Sequence, residues 1–324
     1  MFLGYTEPEF VVENNPKQSP VAPPVLLQID SPTVQPRRLP PWLRARSGHW
    51  ERVHDMRVLL GQAHLHTVCE SARCPNQGEC WTRGTATFML LGDICTRSCG
   101  FCAVVTGRPA PPDPEEPRQV AETSRRLGLR FVVVTSVTRD DLTDGGAAHF
   151  AATVRAIHEL NPGAQIEVLV PDFKARPDHI RTVVESAPTV FNHNLETVER
   201  LTKQVRIQAK YQRSLDVLRI AKVQGQPVTK TGIMLGLGET ETEVWQLMRD
   251  ARETGCDIFT IGQYLQPTKQ HLPVAEFVHP DRFKALEEAG YALGFSSVFS
   301  GPLVRSSYHA ELTAQRSVEA ARSS

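Results

Sequence analysis

The stretch Ala86-Thr-Phe-Met-Leu-Leu-Gly92-Asp-Ile-Cys95-Thr-Arg-Ser-Cys99-Gly-Phe-Cys102 decides how the chain is read. Its first half is a short apolar run that predicts a buried strand over Ala86 to Gly92. Its second half places three cysteines, spaced C-x3-C-x2-C, at the carboxyl end of that strand, where α/β folds hold their ligands. Three thiolates on a [4Fe-4S] cluster leave one iron open to a substrate or cofactor, whereas four close it. Structural zinc asks for four ligands, and a redox pair Cys99-Gly-Phe-Cys102 gives Cys95 no part. Both stand as alternatives to the cluster.

A second triplet lies just upstream, Cys69-Glu-Ser-Ala-Arg-Cys74-Pro-Asn-Gln-Gly-Glu-Cys80, spaced C-x4-C-x5-C. Alone it is a moderate metal signal that buried structural cysteines would also produce; beside the first triplet it becomes a strong one. The two triplets use all but Cys256 of the 7 cysteines, and an odd total argues against a disulfide framework.

From Ala86 onward, strand-like apolar runs alternate with amphipathic helical stretches, the pattern of βα units around a parallel sheet. Strands are expected at Ala86 to Gly92, Arg130 to Val137, Gln165 to Pro171, Thr189 to Glu196, Val228 to Leu237 and Ile258 to Leu265. Helices are expected at Pro117 to Leu127, Gly146 to Leu160, Pro177 to Glu185, Arg213 to Gln224, Glu241 to Thr254 and Pro280 to Ala292. Six βα units predict an α/β fold of the open, partial-barrel type over 86–296. Ser297 to Val304 offers a further edge strand within a C-terminal segment, 297–324. Upstream, residues 46–85 read as a small extension carrying the first triplet. A helix is expected over His49 to Leu60, with Trp42, Val53, Met56 and Leu59 or Leu60 supplying an apolar stripe. Nine prolines between Pro8 and Pro41 make residues 1–45 a poorly ordered arm by expectation.

Composition excludes several classes of partner. The 324 residues carry 36 Lys+Arg and 36 Asp+Glu, so no global field recruits nucleic acid or an anionic membrane. The apolar run Phe131 to Val137 is far too short to span a bilayer. The N-terminus has no basic or apolar leader region, and Glu7, Glu9 and Glu13 do not suit a transit peptide, so a cytoplasmic location is expected.

The C-x3-C-x2-C triplet resembles the signature of the radical S-adenosylmethionine (SAM) superfamily, with Phe101 as the aromatic before the last cysteine. Both triplets, with Gly84-Thr-Ala-Thr-Phe-Met-Leu-Leu-Gly92, Thr135-Ser-Val-Thr-Arg-Asp-Asp-Leu142, Phe191-Asn-His-Asn-Leu-Glu-Thr197, Gly236-Leu-Gly-Glu239, Gly262-Gln-Tyr-Leu-Gln-Pro267 and Arg305-Ser-Ser-Tyr308, resemble the lipoyl synthase family over about residues 42–310. That resemblance implies a radical SAM barrel with a cluster-binding extension. It implies that Cys95, Cys99 and Cys102 hold the SAM-binding [4Fe-4S] cluster, with Phe101 near the adenine. Cys69, Cys74 and Cys80, with Ser307, hold an auxiliary [4Fe-4S] cluster consumed as the sulfur source, and Arg305 acts beside Ser307. The implied reaction replaces hydrogens at C6 and C8 of an octanoyl-lysine on a lipoyl carrier domain with sulfur. The implied partners are octanoylated carrier domains (2-oxoacid dehydrogenase E2 or glycine cleavage H protein), a ferredoxin- or flavodoxin-type reductant and an iron-sulfur carrier. Biotin synthases and methylthiotransferases are the nearest rivals, but they lack the upstream triplet together with an Arg-Ser-Ser-Tyr tail. A non-enzymatic iron-sulfur scaffold or zinc module leaves the polar barrel motifs without a use.

Period-two geometry puts Asn192, Asn194 and Glu196 on one strand face, as SAM contacts or as a satisfied buried network. Thr135 and Ser136 end another strand and either meet the methionyl end of SAM or cap the strand. Arg139, Asp140 and Asp141 are either part of the site or a loop ion-pair cluster. Gly232, Gly236 and Gly238 suit close approach of backbone to adenosine rather than a phosphate loop. Cys256 reads as packing, and His64 and His66 as surface or core residues. After Arg206 the family pattern expects proline where this chain has Ile207, which leaves the local loop shape and the role of Arg206 open.

Overall fold

The computed structural model describes residues 39–44, 50–63, 65–71, 74, 76–82, 85–308 and 310–311. The expectation for the proline-rich arm falls largely outside them, as do His64 and Gly84. The compact unit begins at Pro40. Within the expected arm, Pro41–Leu43 forms a short 3-10 turn that buries Leu43 and sets Trp42 edge-on to His279, with ring centroids 5.1 Å apart. Trp42 therefore does not join the stripe of the helix Trp50–Gln62, whose buried residues are Val53, Met56 and Leu60.

Among the described residues ten strands form in chain order: β1 (His66–Thr67), β2 (Thr85–Leu90), β3 (Ile94–Cys95), β4 (Val105–Thr106), β5 (Phe131–Ser136), β6 (Gln165–Leu169), β7 (Val190–Asn192), β8 (Thr229–Leu235), β9 (Ile258–Gln263) and β10 (Ser297–Ser300). The main sheet runs β1-β2-β5-β6-β7-β8-β9-β10. From β2 to β10 every pair is parallel, and β1 pairs antiparallel with β2. All six expected barrel strands form in the expected order, and the edge strand forms as β10. The six expected barrel helices also form, together with Glu199–Val205, which is too short to show helical periodicity in sequence.

Apolar residues pack the strands against the helices in two clusters. One gathers Phe88, Val132, Val134, Ile166 and Val168 under the helices Glu116–Arg126, Ala147–Leu160 and Pro177–Val184, and takes in Val53, Met56, Leu60 and Trp81 of the extension. The other gathers Ile233, Phe259 and Ile261 under the helices Glu241–Glu253 and Pro280–Ala292. Each fully buried side chain of this size contributes roughly 1.5–3 kcal/mol. A third cluster, Phe131, Val133, Val190, Val228, Ile258 and Ala310, uses residues near the amino ends of the strands. Ligand space is thus left toward the carboxyl ends. The C-terminal segment links the two sides of the sheet: Gly301 N donates to the Ile261 carbonyl on β9, and Thr85 Oγ1 on β2 donates to Glu311.

One strand corrects its expected bounds. Thr189 to Glu196 was expected to be extended throughout, yet pairing as β7 ends at Asn192. Glu196 adopts φ 65°, the left-handed region, and makes only an isolated bridge to Ile233. Simple alternation therefore stops holding just where the polar residues begin.

Candidate functional site

The downstream triad is built into the barrel rim. Cys95 ends β3, whose short pairing with β4 closes the cysteine loop on itself, and its sulfur accepts the backbone N–H groups of Arg97 (3.4 Å) and Thr138 (3.3 Å). Between the first two cysteines, Arg97 forks across two neighbouring βα loops. Its guanidinium donates to Asp140 at 2.6 and 2.8 Å and to Asp172 at 2.8 and 2.9 Å, with Arg213 Nη2 2.8 Å from Asp172 on its other side. Burial alone would raise the Asp172 carboxyl, but the Arg97 hydrogen bonds and charge hold it well below the usual carboxylate range. Gly100 is clamped between the Val205 carbonyl (2.9 Å) and Leu272 N (3.0 Å), and His271 Nε2 lies 2.9 Å from the Cys102 carbonyl.

The three thiols converge electrostatically. Burial pushes Cys99 up to about 12, the Arg206 charge opposing this and the Cys102 and Cys95 thiolates adding to it; Cys102 is raised by burial and again by Cys95. The upstream triad repeats the pattern. Cys69 is pushed up to about 11 by burial and by Cys74, and Cys80 rises by burial and by both of its partners. Among the described residues no three His, Cys, Asp or Glu side chains close around a single ion position. Soft thiols such as Cys69, Cys80, Cys99 and Cys102, whose ionisation is opposed by burial and by neighbouring cysteines, suit a multi-iron cationic core, which supplies the missing positive charge.

One cavity of about 400 Å³ is reached by members of both triads, though Cys80, Cys95 and Cys99 do not line it. Cys69 and Cys74 line it on one side and Phe101 and Cys102 on another, with Arg305, Ser306 and Ser307 of the C-terminal segment also on its wall. Asn194 and Glu196 reach it as well. Asn194 Nδ2 donates to Glu196 Oε1 at 3.0 Å and its Oδ1 has no protein partner, while burial pushes the Glu196 carboxyl up against the opposing Arg206 charge. Gly232 lies beside them. A Cβ there would collide with Thr260 Oγ1, so the wall at this point is necessarily backbone. The cavity's size is that of a small-molecule site, and an unpaired amide oxygen on such a backbone wall fits a polar cofactor.

Other expected residues lie elsewhere. Asn192 is fully buried and donates to Glu167 (2.7 Å), which itself pairs with buried Lys230 at 2.8 Å. It belongs to this network and does not line the cavity. Thr135 caps the neighbouring strand by donating to the Leu169 carbonyl (2.8 Å), and Ser136 Oγ is buried without a protein partner; neither lines the cavity. The Arg139 cluster splits: Arg139 pairs with Asp141 at 2.9 Å, whereas Asp140 belongs to the Arg97 fork. Ile207 is exposed at the position of the expected proline, and Arg206 is buried, donating to the Leu195 carbonyl (3.1 Å) and Ser214 Oγ (3.0 Å). Cys256 packs in the second core cluster, with Sγ 3.4 Å from the Ile258 carbonyl. Sequence reading passed over Arg97 and Asp172. An arginine enclosed by two closely spaced cysteines was the available signal, but its partner lies 75 residues away.

Residues 89–251 match the family model of the radical SAM superfamily. The chain is 57% identical over 276 residues to a lipoyl synthase of Caldanaerobacter subterraneus subsp. tengcongensis, covering 85% of this chain and 96% of that one. It is 53% identical over 272 residues to a mitochondrial lipoyl synthase of Nematostella vectensis, covering 84% and 94% of the two chains. In fold it is similar to the FeFe-hydrogenase maturase HydG from Carboxydothermus hydrogenoformans, with a TM-score of 0.52 at 13% identity over 84% of this chain and 78% of that one. The open parallel barrel, the rim triad and this similarity along most of the chain agree: the chain belongs to the lipoyl synthase family of radical SAM enzymes.

Proposed function

We propose that this chain inserts sulfur at C6 and C8 of a protein-bound octanoyl-lysine, with its residues in the following roles. Family membership makes it a radical SAM sulfurtransferase that uses SAM and [4Fe-4S] clusters and acts on lipoyl carrier proteins. Cys95, Cys99 and Cys102 would hold the SAM-binding cluster, and Cys69, Cys74 and Cys80 with Ser307 the auxiliary one. When bound, these groups supply a 5′-deoxyadenosyl radical for hydrogen abstraction and the sulfur that replaces each hydrogen.

The observation that carries this reading is the shared cavity, because an acyl carbon must meet the radical source and the sulfur source in one space. Val68, Val104, Leu169, Ile233 and Leu265 give that space an apolar lining that accepts an alkyl chain and excludes water from a reactive intermediate. Asn194 and Glu196, with Phe101, offer the polar and aromatic surface for SAM at the rim. Arg305, which donates to the Val304 carbonyl, keeps a buried charge beside Cys74 that favours the thiolate. Asn192, Thr135 and Ser136 support the strand ends under that surface. We assign the substrate carriers to E2-type or H-protein lipoyl domains, the electrons to a ferredoxin or flavodoxin, and cluster reloading to an iron-sulfur carrier. We place the protein in the cytoplasm; no described helix is long and apolar enough to cross a membrane.

Anaerobic incubation with SAM, a reductant and an octanoyl-lysyl peptide tests the reading by peptide mass. The expected product gains two sulfur atoms. Cleavage of SAM without any sulfur entering the peptide would refute it.

A further inference from the structure

We infer that Asn76 is a positioning residue for the auxiliary centre, tying the loop between Cys74 and Cys80 to the C-terminal segment so that Ser307 is presented to the cluster. The inference rests on the reading of Ser307 as a ligand. Asn76 is 5% exposed, and its Nδ2 donates to the Leu303 carbonyl at 2.6 Å across 227 residues of chain. Its own carbonyl accepts from Cys80 N at 3.0 Å, and its backbone N–H donates to the Cys74 sulfur. One residue therefore touches two cysteine positions and the tail at once.

Two further ties fix the same segment. Tyr308 Oη lies 3.1 Å from both carboxylate oxygens of Glu79, so Ser307 is bracketed by contacts at Leu303 and Tyr308. On the barrel side the Val304 carbonyl presses on Gly262 of β9, where any Cβ would collide with it. A serine oxygen is a hard, weak match for a cluster iron and would not by itself repay the entropy of ordering a tail. The ties make that payment in advance, as outer-shell partners do at other metal sites.

The test uses full-length protein with ⁵⁷Fe-loaded clusters. A background with Cys95, Cys99 and Cys102 replaced by Ala isolates the auxiliary cluster for Mössbauer spectroscopy, and the otherwise unsubstituted protein reports lipoyl product per 5′-deoxyadenosine. Asn76→Ala should keep its iron and melting temperature but lose the distinct signal of the one iron with a non-thiolate ligand. Product per 5′-deoxyadenosine should fall about tenfold. Ser307→Ala separates the two claims. Loss of the signal in Ser307→Ala with retention in Asn76→Ala overturns the tie alone; retention in both overturns the serine ligand and the tie with it. If Asn76→Ala does not load, Asn76→Leu keeps the side chain's size and its backbone contacts while removing the Nδ2 donor, and should reduce the same signal. An unchanged signal in that variant also overturns the inference.

Discussion

The two cysteine triads open on one cavity, yet they are anchored in different ways. The downstream loop starts in a strand, closes through β3 and β4, and is forked by Arg97 onto two buried or half-buried carboxylates from neighbouring βα loops. The upstream loop sits on two short helices, Val68–Ser71, which follows β1 of the main sheet, and Gln77–Thr82, and its ties to the rest of the molecule include Asn76, Glu79 and the apolar contacts of Val68, Cys69, Cys80 and Trp81. On the roles proposed above, the centre that would survive every turnover is braced by Arg97 between two βα loops, and the centre that would be dismantled to release sulfur is tied to the C-terminal segment.

Substitution of one cysteine in each triad gives the largest test of that division. Cys95→Ala should abolish 5′-deoxyadenosine formation, whereas Cys69→Ala should still cleave SAM but place no sulfur in the peptide. Chromatography of both products checks this, and loss of SAM cleavage in Cys69→Ala would break the comparison. Next in size, Ser307→Cys should load a more inert auxiliary cluster. The second sulfur insertion should fall by at least about tenfold while 5′-deoxyadenosine still forms. Wild-type product rates would remove the serine from the site.

Arg97→Lys sharpens the other side. Lysine keeps the charge but cannot bridge both carboxylates, so SAM cleavage should fall about tenfold with the auxiliary cluster still loaded. The smallest expected effect is on stability. His193 is buried, its Nδ1 2.9 Å from the Val170 carbonyl, and burial followed by the Arg206 charge lowers its pKa to about 4. The unfolded chain takes up that proton from about pH 6.5 downward and the folded chain only near pH 4. Stability is therefore complete above this window and falls as pH drops through it, by about 2 kcal/mol at pH 5. Denaturant unfolding of His193→Gln should show a shallower acid slope than the unsubstituted protein. Parallel slopes would mean that the buried imidazole does not drive it.

Local signals made much of this molecule legible. Six apolar runs marked six barrel strands because a strand covered on both faces needs continuous hydrophobicity over a few residues. The cysteine spacings marked both triads, since three thiols within a dozen residues stand out without knowledge of the fold. The polar residues were harder. Alternation along Asn192, Asn194 and Glu196 suggested three equivalent cavity contacts, but pairing stops at Asn192, which joins Glu167 and Lys230 in a buried network. Trp42 lies near the extension helix in sequence yet packs on His279.

Sequence alone determined the barrel class, the two cysteine triplets and the family, because periodicity and short spacing survive without knowledge of distant contacts. Only the tertiary structure decided that both triads share one cavity, that Arg97 is bound to Asp172, and that Asn76 meets Leu303. Those facts depend on which loops the sheet order brings side by side. A single carboxylate or amide carries no local pattern that names a partner on another loop.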